Sequence, residues 1–207
     1  FCIRRINAGQ RAYLQTLLGL YRWALDEGVL YGTDGFLSQW DYKNVVSASL
    51  KAGEKDWCQT FIEEYVEQLA PEFRDNARTY NLAVWHYENR DYSQALRLLQ
   101  AVEFSDVFYA LGSRVILLKC YFSTGDLDAA FSLCESFQMY LRRNKSLSKA
   151  QLGLYQNLVR FARKLVRLKQ QESVLVAGKY EERRGKLRDA IRESGGTAQA
   201  AWLLSEL

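Results

Sequence analysis

A turn flanked by helically spaced apolar residues returns every thirty-five positions, and this return restricts the chain to folds that stack one copied unit. The clearest copy runs from Arg78 to Val102. Leu82, Ala83 and Trp85 stand at helical spacing, Asn89-Arg90-Asp91-Tyr92 reads as a turn, and Ala95, Leu96 and Leu99 resume the period. Thirty-five residues later Leu117, Leu118 and Cys120 lead into Thr124-Gly125-Asp126-Leu127, followed by Ala130, Phe131 and Cys134. Thirty-five residues before the clearest copy a degenerate one holds Ala48, Leu50, Gly53, Asp56-Trp57, Thr60 and Phe61.

The turn residues agree with this pattern. Asp91 and Asp126 are placed to accept hydrogen bonds from the unpaired amides that open the second helix of each pair. Gly125 suits the left-handed residue that closes the first. Ala95 and Ala130 are small where two helices cross closely, and Tyr92 and Leu127 fill the space beside the turn. Neither helix of such a pair buries its apolar face alone, so neighbouring pairs must cover it. The expectation is an all-α fold, an α-solenoid, forming a single domain over residues 1–207. Its clearest units lie at about 40–143 and a basic helical portion at about 144–207. Proline occurs once, at Pro71, which fits helices joined by tight connections.

The stretches Tyr80-Asn81-Leu82-Ala83, Asp91-Tyr92-Ser93-Gln94-Ala95-Leu96 and Gly125-Asp126-Leu127-Asp128-Ala129-Ala130-Phe131 resemble tetratricopeptide repeats. Two units resemble that family well and one weakly. The period of 35 departs from the usual value of about 34, and the Pro expected at the unit boundary is absent. The whole chain is also similar to uncharacterised bacterial proteins of helical-repeat type, a resemblance that implies a fold and no defined activity.

The tetratricopeptide resemblance implies that the first helix of each pair lines a hollow face. That places Tyr42, Val45, Tyr80 and Val84 there, together with Tyr87, Val115, Lys119 and Phe122, and lets Asn81 contact a ligand backbone. An aromatic groove of this kind suits an apolar peptide or helix from a protein partner. It lacks the Lys and Arg clamp that some members of the family use for a peptide's terminal carboxylates. The alternative stays open that another helix of the same chain fills the groove, because aromatic stripes at helical spacing are commonly core.

Beyond the repeats, residues 9–27 predict one amphipathic helix ending near Gly28, with Gly32 and Gly35 in a loop. Residues 146–171 predict a long helix carrying Leu152, Tyr155, Val159, Ala162 and Val166 on its apolar side. Another is expected over about 177–193. Gly195-Gly196 then breaks the chain before a short terminal helix over 198–207, with Trp202, Leu203 and Leu207, that would cap the stack.

Charge is divided unevenly. Residues 1–139 carry 13 Lys and Arg against 18 Asp and Glu, whereas residues 140–192 carry 15 against 4. Arg160, Arg163, Lys164 and Arg167 recur at three- and four-residue steps on one helix face; Arg142, Arg143 and Lys145 precede them, and Arg183, Arg184, Lys186 and Arg188 follow. A basic surface of this kind meets nucleic-acid phosphates, an acidic protein, an anionic membrane surface or the acidic end of a second copy, or it simply keeps the helix solvated.

Signatures of chemistry are missing. The one histidine, His86, stands mid-helix between Trp85 and Tyr87, which reads as a packed ring rather than a catalytic base or metal ligand. Cys2, Cys58, Cys120 and Cys134 sit singly in apolar stretches, without metal-ligand spacing, as reduced thiols of a cytoplasmic protein would. Val176-Ala177-Gly178-Lys179 lacks the earlier glycine and the following Ser or Thr of a phosphate-binding loop. Neighbouring carboxylates such as Glu63 and Glu64 do not face each other on a helix. The expectation is therefore a non-enzymatic protein-binding or assembly scaffold with no cofactor, no metal and no membrane span. A protein or peptide partner or a second copy is favoured over nucleic acid. Because the chain opens at Phe1 rather than Met, it is expected to be a fragment, and a removed signal sequence stays open.

Overall fold

In a computed structural model of the chain, residues 1–7, 9–100 and 106–207 are described. Among them the protein is all-α, with isolated bridges at Tyr31, Leu37 and Leu69 but no strand. The helices are α1 (Cys2–Asn7), α2 (Tyr13–Asp26), α3 (Gln39–Ala52), α4 (Lys55–Glu64), α5 (Pro71–Glu88) and α6 (Tyr92–Gln100). They continue as α7 (Val107–Thr124), α8 (Leu127–Arg143), α9 (Lys149–Gln170), α10 (Ala177–Arg192) and α11 (Ala200–Ser205). The chain divides into two compact units, Phe1–Tyr109 and Ala110–Leu207, with the border inside α7. Val102, the expected end of the clearest copy, lies outside the described residues.

The two expected turns form as equivalent structures. Asp91 Oδ1 accepts from the amide of Gln94 at 3.3 Å, and Asp126 Oδ1 accepts from the amide of Ala129 at 3.1 Å. Each carboxylate thereby satisfies a donor that the first helical turn leaves unpaired. The residue before each cap is left-handed: Gly125 at φ 77° and, at the matching position, Arg90 at φ 62°. Glycine takes this conformation freely, whereas Arg90 holds it against its own Cβ. The degenerate copy differs in detail. Its helix α4 begins after Glu54, without a side-chain cap, so Asp56 lies within the first turn instead of preceding it.

In the first unit α3 packs on α4 and α5, and α5 packs on α6. The Trp85 indole donates to the Lys55 carbonyl at 2.9 Å, and Lys55 Nζ donates to the Glu88 carbonyl at 2.8 Å, tying α4 to α5. Pro71 occupies the first turn of α5, where a missing amide proton costs nothing. The amphipathic helix expected over 9–27 forms as α2, and a further short helix, α1, precedes it across a left-handed Gly9.

In the second unit α9 starts with a reciprocal cap, Ser148 accepting from the Gln151 amide while Gln151 accepts from the Ser148 amide. The following α10 packs on α9, and the glycine break returns the tail to the same helix. Gly196 takes φ 138°, a backbone conformation that favours glycine, and a Cβ there would also displace the end of the Leu154 side chain. The amide of Ala198 donates to the Leu154 carbonyl at 3.1 Å, and Asn157 Nδ2 donates to the Gly196 carbonyl at 2.7 Å. Arg188 binds the Leu207 carbonyl and holds the last residue to α10.

Candidate functional site

The expected hollow face is occupied by the protein's own packing at most of its positions. Tyr42, Tyr80, Asn81 and Phe122 are 0%, 6%, 1% and 8% exposed, and Val45 and Val115 are buried with them. In the first unit the Tyr42 hydroxyl donates to the Ile62 carbonyl at 2.6 Å, and Asn81 Nδ2 donates to the Ala77 carbonyl at 2.8 Å. The Tyr80 ring meets the Tyr109 ring edge-on at 5.0 Å, and Lys43 Nζ lies over both rings at 4.6 and 4.9 Å. Burial pushes the Tyr42 and Tyr109 phenols up and the Lys43 ammonium down to about 8. Val84 and Tyr87 are half-buried, and Tyr87 packs against Tyr92 across the turn.

In the second unit the terminal helix α11 does the covering. Lys119 Nζ donates to Gln199 Oε1 at 2.8 Å, and the Phe122 ring meets Trp202 edge-on at 5.9 Å. These positions correct the picture of a surface open to an apolar peptide. A helical stripe of Tyr, Val and Phe is dictated by burial alone, and here helices of the same chain supply the cover.

The chemistry-bearing candidates are likewise packed. His86 Nδ1 lies 3.2 Å from Asp91 Oδ2, with the Trp85 ring edge-on beside it. The hydroxyl of Ser93, together with the Gln94 amide and His86, holds the Asp91 carboxyl below the usual carboxylate range. All four cysteines are buried and free, and burial pushes Cys120 and Cys134 up to about 12. A thiol raised in this way carries little of the thiolate that acts as nucleophile at neutral pH. Among the described residues, no three His, Cys, Asp or Glu side chains come together as a metal site.

The basic residues behave differently. Arg142 from α8 and Arg160, Arg163, Lys164 and Arg167 from α9 line a cleft of about 550 Å³, beside Gln138, Gln156 and Asn157. A second cleft of about 330 Å³ shares Lys164 and Arg167 with the first and adds Gln171, Arg183 and Lys186. The two clefts flank α9 and adjoin at Lys164 and Arg167, and together they are called the trough. No Asp or Glu lines either part. Among the described residues, Arg142, Arg160, Lys164 and Arg167 make no ion pair.

Three trough residues are held by their neighbours. Arg163 reaches Glu135 at 3.4 Å, Arg183 donates to Gln171 Oε1 at 2.6 Å, and Lys186 pairs with Glu182 one turn back. Aromatic faces position the guanidiniums: Arg163 and Arg167 both lie 5.0 Å from the Phe131 ring centroid, and Arg160 lies 4.5 Å from Phe161. Arg143, exposed on the last turn of α8, lines neither cleft.

The trough differs from the neighbouring cleft around Lys169, Glu172, Tyr180, Glu181 and Arg184. There the charges cancel through the Lys169–Glu172 pair at 2.7 Å and the Arg184–Glu181 pair at 3.2 Å. Along the trough, seven cations face a shared concavity, and like charges around a low-dielectric wall focus a positive potential into it. The roles of Arg183, Lys186 and the four amide side chains follow from the packing of α10 and α8 beside α9, which the spacing within one helix does not carry. Among the described residues, no helix is long and apolar enough to cross a membrane. In comparisons with known proteins, no family model, no curated protein and no solved structure matches this chain.

Proposed function

We propose that the chain is a non-enzymatic interaction and assembly scaffold, an α-solenoid of tetratricopeptide-like hairpins with flanking and capping helices, whose C-terminal unit captures an anionic partner. One observation carries the reading: a trough walled by five Arg and two Lys, with no carboxylate among its lining residues, in which four of the cations have neither an ion pair nor a side-chain hydrogen bond. The matching caps at Asp91 and Asp126 and the matching left-handed residues at Arg90 and Gly125 support the repeat reading.

The mechanism is equilibrium recognition, with no bond made or broken. Crowded cations repel one another in the free protein, and a bound polyanion relieves that repulsion while releasing its own counterions. Guanidiniums already held on Phe131 and Phe161 lose little freedom on binding.

The test is anisotropy of fluorescein-labelled heparin, a generic polyanion, at about 50 and about 500 mM salt. Wild-type protein should bind at low salt and release at high salt, and R160Q/R167Q should bind at least tenfold more weakly. Absence of binding at low salt would remove the reading. A rise in the protein's sedimentation coefficient at low salt without any probe would instead identify a second copy as the anionic partner.

A further inference from the structure

We infer that the trough takes the phosphate backbone of a nucleic-acid duplex without reading its sequence, an inference that rests on the anion-capture reading above and names its partner. Three observations select this class.

The first is what the trough withholds. Interfaces with acidic proteins draw most of their affinity from apolar and aromatic anchors set in desolvated pockets. Here the large apolar side chains along the walls, Val159, Leu168 and Leu187, are 2%, 5% and 6% exposed, and the one other apolar wall residue is the small Ala190, so no bulky apolar or aromatic side chain is presented as an anchor's counterpart.

The second is the absence of a stacking platform. Grooves that bind single strands pair cations with aromatic rings on which bases stack. The two rings beside this trough do not offer their faces: Phe131 lies beneath Arg163 and Arg167, and Phe161 is buried beneath Arg160. A strand with splayed bases gains nothing here, whereas a duplex keeps its bases stacked internally and presents only phosphate and sugar.

The third is reach. From Gln156 to Gln171, α9 rises roughly 22 Å, a length over which a duplex carries about a dozen phosphate charges. The trough therefore meets several phosphates at once, with Arg as the prevailing cation. Guanidinium forks suit phosphate oxygens, and amide side chains such as Gln156 and Gln138 add neutral contacts of the kind that position a protein on a backbone.

The test compares four labelled probes at low salt: a 20-base-pair duplex of arbitrary sequence, the single strand of the same length, poly-glutamate and heparin. Vesicles containing phosphatidylserine form a fifth arm. The expected result is tighter binding of the duplex than of the single strand and poly-glutamate, indifferent to a change of duplex sequence. With about five phosphates contacted, log K should fall against log salt with a slope of about −4 to −5, a loss of several hundredfold between about 50 and about 200 mM. R160Q/R167Q should weaken duplex binding at least tenfold while K51Q, in the other unit, leaves it unchanged. R142Q/R183Q, which removes cations from two other helices, serves as the second variant, and circular dichroism reports whether each stays helical.

Heparin bound with no duplex bound would overturn the duplex assignment and leave the anion-capture reading standing, while neither bound would remove both. Poly-glutamate or vesicles bound more tightly than duplex would overturn the assignment in favour of an acidic protein or a membrane surface. Equal duplex binding by wild type and both folded variants would place the contact elsewhere than in the trough.

Discussion

The two compact units are built from the same helical spacing and treat their charges in opposite ways. In Phe1–Tyr109 three arginines are engaged locally, although Arg4, Arg5 and Arg11 are exposed without an ion pair. Arg78 pairs with Glu63 at 2.6 Å, and Arg74 pairs with Glu67 at 2.6 Å while donating to the Leu69 carbonyl at 2.9 Å. Arg22 lies over Trp57 beside Glu54. In Ala110–Leu207 four cations of one trough have no such counterpart. Exposed ion pairs add little stability, so the contrast has slight consequence for folding. Its consequence is for what each surface attracts, and the second unit gathers its unpaired cations around two adjoining clefts.

If the units share one packing logic, deleting a core ring should cost each about the same. Phe61→Ala in the first and Phe137→Ala in the second, both fully buried, should each destabilise by about 3–5 kcal/mol in urea unfolding. A cost below about 1 kcal/mol at either site would break the parallel.

The repeat turns sharpen it further. Asp126→Ala should lose about 1 kcal/mol by leaving the Ala129 amide unpaired. Arg90→Gly should gain up to about 1 kcal/mol by relieving a left-handed residue that the matching Gly125 takes freely. A destabilised R90G would show that the two turns are not equivalent.

A smaller effect concerns Lys43. Its folded value near 8 lies below the ordinary 10.5, so between those limits the unfolded chain binds more protons and stability rises with pH. The buried Tyr42, Tyr109 and Cys58 have raised values and act in the opposite sense at higher pH. The difference between wild type and Lys43→Met isolates the lysine, and it should move in the wild type's favour as pH climbs from about 8 to about 10. A flat difference would show that the ring pair does not exclude water from the ammonium.

Local signals carried most of the fold. The caps at Asp91 and Asp126, the left-handed Gly125, the break at Gly195-Gly196 and the long helices over α9 and α10 are all legible, because each depends on residues within one turn of another. The short α1 is not, since six residues carry too little periodicity to announce a helix. The hollow face was misleading for a definite reason. Tyr42, Tyr80 and Phe122 have the same spacing whether they face a partner or a helix of their own chain, and only the docking of α11 on Lys119 and Phe122 distinguishes the two in the second unit. The basic run on α9 is visible in the spacing. That no carboxylate is among the lining residues, and that Arg142, Arg183 and Lys186 line the same clefts as α9, depends on which helix faces lie together.

The contrast between the units can be tested directly by lysine footprinting, in which acetylation at each lysine is read by mass spectrometry with and without saturating heparin. Capture in the trough predicts that Lys164 and Lys186 become strongly protected while the exposed Lys51 of the first unit is acetylated at an unchanged rate. Protection of Lys51 with Lys164 and Lys186 still reactive would contradict the account.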